Sequence, residues 1–216
     1  MKYELLSNNK VFLCGKIASE PKFSHESFGE AFYEIKLEVK RLSEQCDIIP
    51  ITISDKLLTK DMTVGSMLAV KGQFRSYNKV EEQKSKLMLT VFVREIIDYT
   101  EDMNPNIIEI TGYICKAPTY RTTPFKREIC DVLIAVNRAY NKSDYLPCIA
   151  WGRNARFVKN LEVGKKVCLV GRIQSRDYQK KLDNGEVENR VAYEVSINKI
   201  SDDESEFEML EDEVLS

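Results

Sequence analysis

A single histidine, His25, and no paired cysteines leave this 216-residue chain little material for acid–base catalysis or a transition-metal centre. Zinc takes four clustered ligands. The six cysteines (Cys14, Cys46, Cys115, Cys130, Cys148, Cys168) lie scattered in apolar segments, with no C-x-x-C spacing and no histidine beside them. They read as buried thiols, and neither metal nor cofactor is expected. His25, in Ser24-His25-Glu26, reads as a solvated loop residue without a proton-transfer partner. There is no glycine-rich phosphate loop, no carboxylate cluster with an adjacent metal ligand, and no Ser or Cys set with a histidine, so an enzyme is not expected. No apolar run approaches the roughly 18 residues of a membrane span. Met1-Lys2-Tyr3-Glu4 is not followed by a signal-peptide core, and a cytoplasmic protein is the expectation.

What the chain does have is an ordinary globular composition, 43% hydrophobic and 31% charged, with an uneven distribution of charge. Lys and Arg number 15 against 16 Asp and Glu in residues 1–103, 17 against 10 in 104–201, and 0 against 8 in 202–216. A basic middle followed by an acidic tail points to a polyanionic partner and to a tail that repels it or recruits something else. A tail that only aids solubility fits the same composition.

The chain also repeats itself. Gly15 and Gly112, Pro21 and Pro118, Phe28 and Phe125, Arg41 and Arg138, Asp47 and Asp144, and Pro50 and Pro147 are each 97 positions apart. Gly65 and Gly164, Gly72 and Gly171, and Ser76 and Ser175 follow at 99. Nine ordered matches indicate duplication. The polar Thr100-Glu101-Asp102-Met103-Asn104-Pro105-Asn106 is the natural junction. The expected units are 1–103, 104–201 and an acidic tail, 202–216, expected to be disordered.

In the second copy, apolar alternation marks strands at Ile108–Ile114, Cys130–Val136, Asp144–Trp151, Val167–Ile173 and Val191–Ile197. Arg153–Leu161 offers about two helical turns closed by Val163-Gly164, and Asp183-Asn184-Gly185 marks a hairpin tip. Five strands with a helix between the third and fourth follow the order of the OB fold, which binds oligonucleotides or oligosaccharides on its second and third strands. The expected fold class is all-β: two tandem five-stranded OB barrels, each with a short helix between strands 3 and 4.

The most informative stretch is Asp144-Tyr145-Leu146-Pro147-Cys148-Ile149-Ala150-Trp151-Gly152. Leu146, Cys148 and Ala150 fall on one face of a strand, while Tyr145, Pro147, Ile149 and Trp151 fall on the other. A core needs one apolar face, so the second is free to stack something flat. A half-buried sheet position fits Trp151 as well. The fourth strand turns Arg172, Gln174, Arg176 and Tyr178 outward, the second ends at Asn137-Arg138-Ala139-Tyr140, and the hairpin adds Lys180, Lys181 and Arg190. Rings interleaved with cations form the kind of groove that holds single-stranded nucleic acid.

Asn9 to Lys16 with Glu20-Pro21, Tyr145 to Gly152, Leu161 to Gly171 and the hairpin after Ser175 resemble the bacterial single-stranded DNA-binding proteins. The resemblance implies base stacking on Tyr140, Tyr145, Trp151 and Tyr178. The first copy carries Ser43, Ile48, Ser54 and Lys79 at those positions, with Arg75, Tyr77 and Lys79 left to contribute on its fourth strand. The first unit is therefore expected to be structural, and the second to bind. The resemblance further implies a nucleoid-associated homodimer. The family's Pro-Phe tail tip is replaced by Glu211-Asp212-Glu213-Val214-Leu215-Ser216, which leaves the tail's protein partner open. The expected function is sequence-nonspecific binding of single-stranded DNA in replication, recombination or repair. A primosome or recombination adaptor, or an RNA- or glycan-binding protein, would use similar surfaces.

Overall fold

The computed structural model describes residues 8–41, 43–81, 84–181, 185–203 and 205, with backbone alone at 80–81 and 84–85. The expected tail thus lies almost wholly outside the described residues, as do hairpin residues Asp183 and Asn184. The first half comprises β1 (Asn9–Ile17), β2 (Lys22–Ser27), β3 (Glu30–Lys40), β4 (Cys46–Ser54), β5 (Met67–Glu81) and β6 (Lys84–Ile97). The second comprises β7 (Asn106–Ile114), β8 (Thr119–Thr122), β9 (Glu128–Arg138), β10 (Lys142–Trp151), α1 (Gly152–Val158), β11 (Lys166–Lys181) and β12 (Val187–Ser201). One 3-10 turn, Ala139–Asn141, joins β9 to β10.

Strand formation follows the two-residue period. Ile35, Leu37 and Val39 on β3, and Ile49, Ile51 and Ile53 on β4, are fully buried. Their counterparts Ile134 and Val136 on β9 and Leu146 on β10 are buried too, and one hydrophobic cluster runs through both halves. Burying each such side chain stabilises the fold by about 1.5 to 3 kcal/mol.

The pairing of these strands corrects the expected fold class. Two separate five-stranded barrels do not form; the twelve strands make one continuous sheet, in the order β2-β3-β4-β6-β5-β1-β7-β11-β12-β10-β9-β8. The reason lies in the edges of β1. One edge pairs with β5. The other is shared, with Lys16 and Ile17 on β3 and Asn9 to Leu13 on β7, antiparallel from Asn9↔Ile110 to Leu13↔Asn106. An unpaired strand edge is a template for another strand, and each half supplies the other's. Gly112 permits the tight crossing of β7 over β9, where a Cβ would meet the Ala135 oxygen and Ile134 Cγ2, each at 2.6 Å.

Other expectations are corrected as well. Among the described residues each half has six strands, because the segment after Pro21 or Pro118 forms a hairpin strand, β2 or β8. His25 therefore lies in β2 and not in a loop; its ring stacks on Phe32 with centroids 5.0 Å apart. Among the described residues only the second half has the helix between its strands. Gly65 follows Pro50 by 15 positions where Gly164 follows Pro147 by 17, and the shorter segment makes isolated turns such as Leu57 N–H to Ser54 C=O at 3.0 Å. Four of the cysteines are buried as expected, but Cys46 is exposed and Cys115 partly so.

The halves are clasped by two matching sets of polar contacts. Asp47 accepts from the Ser175 amide at 2.7 Å, and the Ile48 amide donates to Ser175 Oγ at 3.2 Å. In mirror fashion Asp144 accepts from the Ser76 amide at 2.8 Å, and the Tyr145 amide donates to Ser76 Oγ at 2.8 Å. Among the described residues no buried side-chain N or O lacks a partner.

Candidate nucleic-acid interface

β10 pairs with β9 along its whole length, from Lys142↔Arg138 to Trp151↔Ile129. This register sets Trp151 beside Ile129 and, two residues back on its own strand, Ile149, both nearly fully buried. Gly152, at φ 51, then turns the chain out of the sheet into α1 and leaves the indole at the strand end, 38% exposed. An apolar floor under a half-exposed indole suits a flat ligand.

Trp151, Ile129 and Ile149 line a groove of about 720 Å³ together with Arg121, Arg172, Arg176 and, from the first half, Arg41. Each arginine has a carboxylate. Arg41 grips Asp47 with Nε at 2.8 Å and a terminal nitrogen at 2.6 Å, and Arg172 reaches the same carboxylate at 3.5 Å. Arg176 lies 3.7 Å from Glu194, and Arg121 donates to Asp131 at 2.8 Å. Burial alone would push the Asp47 carboxyl up, but the Arg41 guanidinium and the Ser175 amide outweigh it and hold it below the usual carboxylate range.

Of the ten candidate residues, the structure brings Trp151, Arg172 and Arg176 together in this groove. Tyr140 stands apart on the 3-10 turn, 78% exposed, its backbone in the left-handed region at φ 62. Tyr145 is exposed on β10, with its amide on Ser76 of the first half. Tyr178 faces Arg190 across the β11–β12 hairpin, and Arg190 is engaged by Glu188 at 2.6 Å. Lys180 and Lys181 are exposed further along β11. Arg138 is not in the groove. It donates to Asp144 at 3.3 Å and lies close enough to Arg75 and Arg94 to disfavour their charges.

Arg41 and Arg121 were legible as residues but not as members of this site. Arg41 stands out in the sequence only as the repeat partner of Arg138, and Arg121 sits on β8, which the apolar alternation does not reveal. Of a second group the sequence reading names only Arg75, on the first half's fourth strand. Phe92 on β6 carries the Arg75 guanidinium 4.7 Å from its centroid and that of Arg94 at 4.9 Å. Its only signal is a ring between the buried Val91 and Val93, on the outward face of a strand.

The profile of the single-strand binding protein family matches residues 105–202. Residues 105–202 belong to that family. Single-stranded DNA-binding protein 1 of Staphylococcus aureus (strain COL) is 33% identical over 81 residues, 34% of this chain and 48% of its own. The chain thus spans about half the length of the curated relatives it matches. The wild-type single-stranded DNA-binding protein of Thermus aquaticus shares the fold, with a TM-score of 0.67 over 89% of this chain and 91% of its own, at 18% identity. The N-terminal domain of a PriB protein from Thermoanaerobacter tencongensis is 43% identical over 43% of this chain and 100% of its own, with a TM-score of 0.37. No helix among the described residues is long and apolar enough to cross a membrane.

Proposed function

We propose that this protein binds single-stranded DNA with little sequence preference, in replication, recombination or repair, chiefly through residues 104–201. The observation that carries the reading is Trp151, half exposed on the Ile129 and Ile149 floor with Arg172 and Arg176 in the same groove. A base stacked on an aromatic ring gains about 1 to 3 kcal/mol whatever its identity, and guanidinium groups neutralise the phosphates beside it. Tyr140, Tyr145 and Tyr178 offer further rings, and Lys180 and Lys181 further cations. Residues 1–103 form the assembly unit, 202–216 the acidic tail that meets a protein partner, and two chains associate as a homodimer in the cytoplasm.

The experiment is a titration of the intrinsic fluorescence of Trp151, the one tryptophan, with oligo-dT at several salt concentrations. Strong quenching is expected, with log affinity falling against log salt by about 0.7 per neutralised phosphate. No quenching, and no binding in a mobility assay, rejects the reading in favour of an adaptor that binds other proteins.

A further inference from the structure

The arginines of the Trp151 groove each have an acid, whereas two arginines of the first half do not. Arg75 and Arg94 both lie over the Phe92 ring and both donate to one neutral atom, Gln73 Oε1, at 2.6 Å and 3.3 Å. Among the described residues neither is within ion-pair distance of a carboxylate. The two nearby acids are engaged elsewhere: Glu30 by Ser54 and by Lys56 at 2.9 Å, and Asp144 by Arg138 and the Ser76 amide. Arg138, paired with Asp144, brings a third guanidinium near the two. Burial first, and then repulsion from Arg138 and Arg94, pull Arg75 down to about 10. Unpaired, partly buried cations held this close are costly to the fold, and an added anion would relieve them.

We propose that Arg75 and Arg94, laid on Phe92 and joined by Arg138 from the second half, form a site for the phosphodiester backbone of a single strand. A guanidinium over a ring face has five N–H donors, and those not taken by Gln73 Oε1 match the oxygens of a phosphate. Tyr77 follows two residues after Arg75 on the same outward face of β5 and is 42% exposed, a ring within the same patch. β10 connects the two sites. Trp151 ends it in the groove of the second half, and Tyr145, roughly 20 Å back along the strand, has its amide on Ser76, the residue between Arg75 and Tyr77. A strand that leaves Trp151 along β10 therefore arrives at the first half's cations.

This inference rests on the single-strand reading, and the test separates the two. The full-length Arg75→Gln/Arg94→Gln variant is titrated, by Trp151 fluorescence across salt, with an oligo-dT of about 6 nucleotides, within the roughly 4 to 16 that one such unit covers, and one of about 30, well beyond it. With the long oligonucleotide the variant is expected to bind more weakly, with a salt slope shallower by about 0.7 per lost phosphate contact and so by up to about 1.4. With the short one it should match the wild type. Arg75→Lys/Arg94→Lys, which keeps both charges, should restore most of the slope and so separates lost charge from lost folding. A Gln variant that matches wild type on the long oligonucleotide overturns the inference alone, even if inorganic phosphate binds to the wild type at this patch. Failure of the wild type to bind either oligonucleotide overturns both readings.

Discussion

The carboxylate of Asp47 on β4 accepts a 2.7 Å hydrogen bond from the backbone amide of Ser175 on β11, joining the two halves of the chain. Its repeat partner Asp144 does the same for Ser76 at 2.8 Å, yet the two acids differ in charge balance. Arg41 holds both oxygens of Asp47, at 2.8 Å and 2.6 Å, whereas Arg138 reaches one oxygen of Asp144 at 3.3 Å. Burial consequently wins at Asp144 and raises its carboxyl above the usual range, despite the Ser76 amide and Arg138. At Asp47 the guanidinium and the amide win, and the carboxyl is lowered.

Opposite responses to neutralisation follow. The depressed Asp47 contributes stability above its unfolded value of about 3.9, and this is lost as pH falls through the lower folded value. The raised Asp144 contributes stability that is full below that same unfolded value and is lost as pH rises through its folded value. At pH 7, Asp47→Asn should cost about 1.5 to 3 kcal/mol, as expected for hydrogen bonds to a charged group. Asp144→Asn should leave the thermal midpoint at or above that of the wild type. Equal losses in two thermal melts would contradict the assignment.

Replacing Trp151 with Ala removes the ring from its Ile129 and Ile149 floor. The affinity for oligo-dT, read by mobility shift because the fluorophore is gone, should fall by about 1 to 3 kcal/mol, or roughly 5-fold to 150-fold. Unchanged affinity would move the stacking surface away from β10.

Cys46 supplies a footprint that does not depend on the indole. It is exposed and borders the Trp151 groove, while Cys14, Cys130, Cys148 and Cys168 are buried. Burial also raises the Cys14, Cys130 and Cys148 thiols, which keeps them protonated and unreactive. N-ethylmaleimide should label Cys46 first, and saturating oligo-dT should slow that labelling. Identical rates with and without DNA would mean that the groove stays empty in the complex.

Phe28 pays a backbone penalty with no burial in return. It is fully exposed at the β2–β3 turn, with φ 51 followed by Gly29 at φ 74, a turn that favours Asn-Gly. Phe28→Asn should relieve about 1 kcal/mol of left-handed strain and raise the thermal midpoint by about 2 to 4 °C. A lowered midpoint would instead mean that Phe28 is covered in an assembled form.

Much of this was readable in advance, for identifiable reasons. The strand positions follow from Ile35-Leu37-Val39, Leu146-Cys148-Ala150 and their like, because burial on one face imposes a period of two that survives in the residue order. The short strands β2 and β8 have exposed faces on both sides, so no apolar alternation marks them. The missing first helix is a matter of two absent residues, a length effect visible only once the repeat spacing is compared with the observed turns.

The amino-acid order alone therefore determined the duplication, the buried faces of the long strands and the outward aromatics of the second half. Only the tertiary structure decided that β1 shares one edge between β3 and β7, and that Arg41 and Arg138 each cross to the other half's surface. Hydrophobic periodicity specifies which face of a strand is buried, a local property. Which edges pair, and which arginines cross to the other half, depend on the register between strands distant in sequence, and that is settled only when the two halves pack.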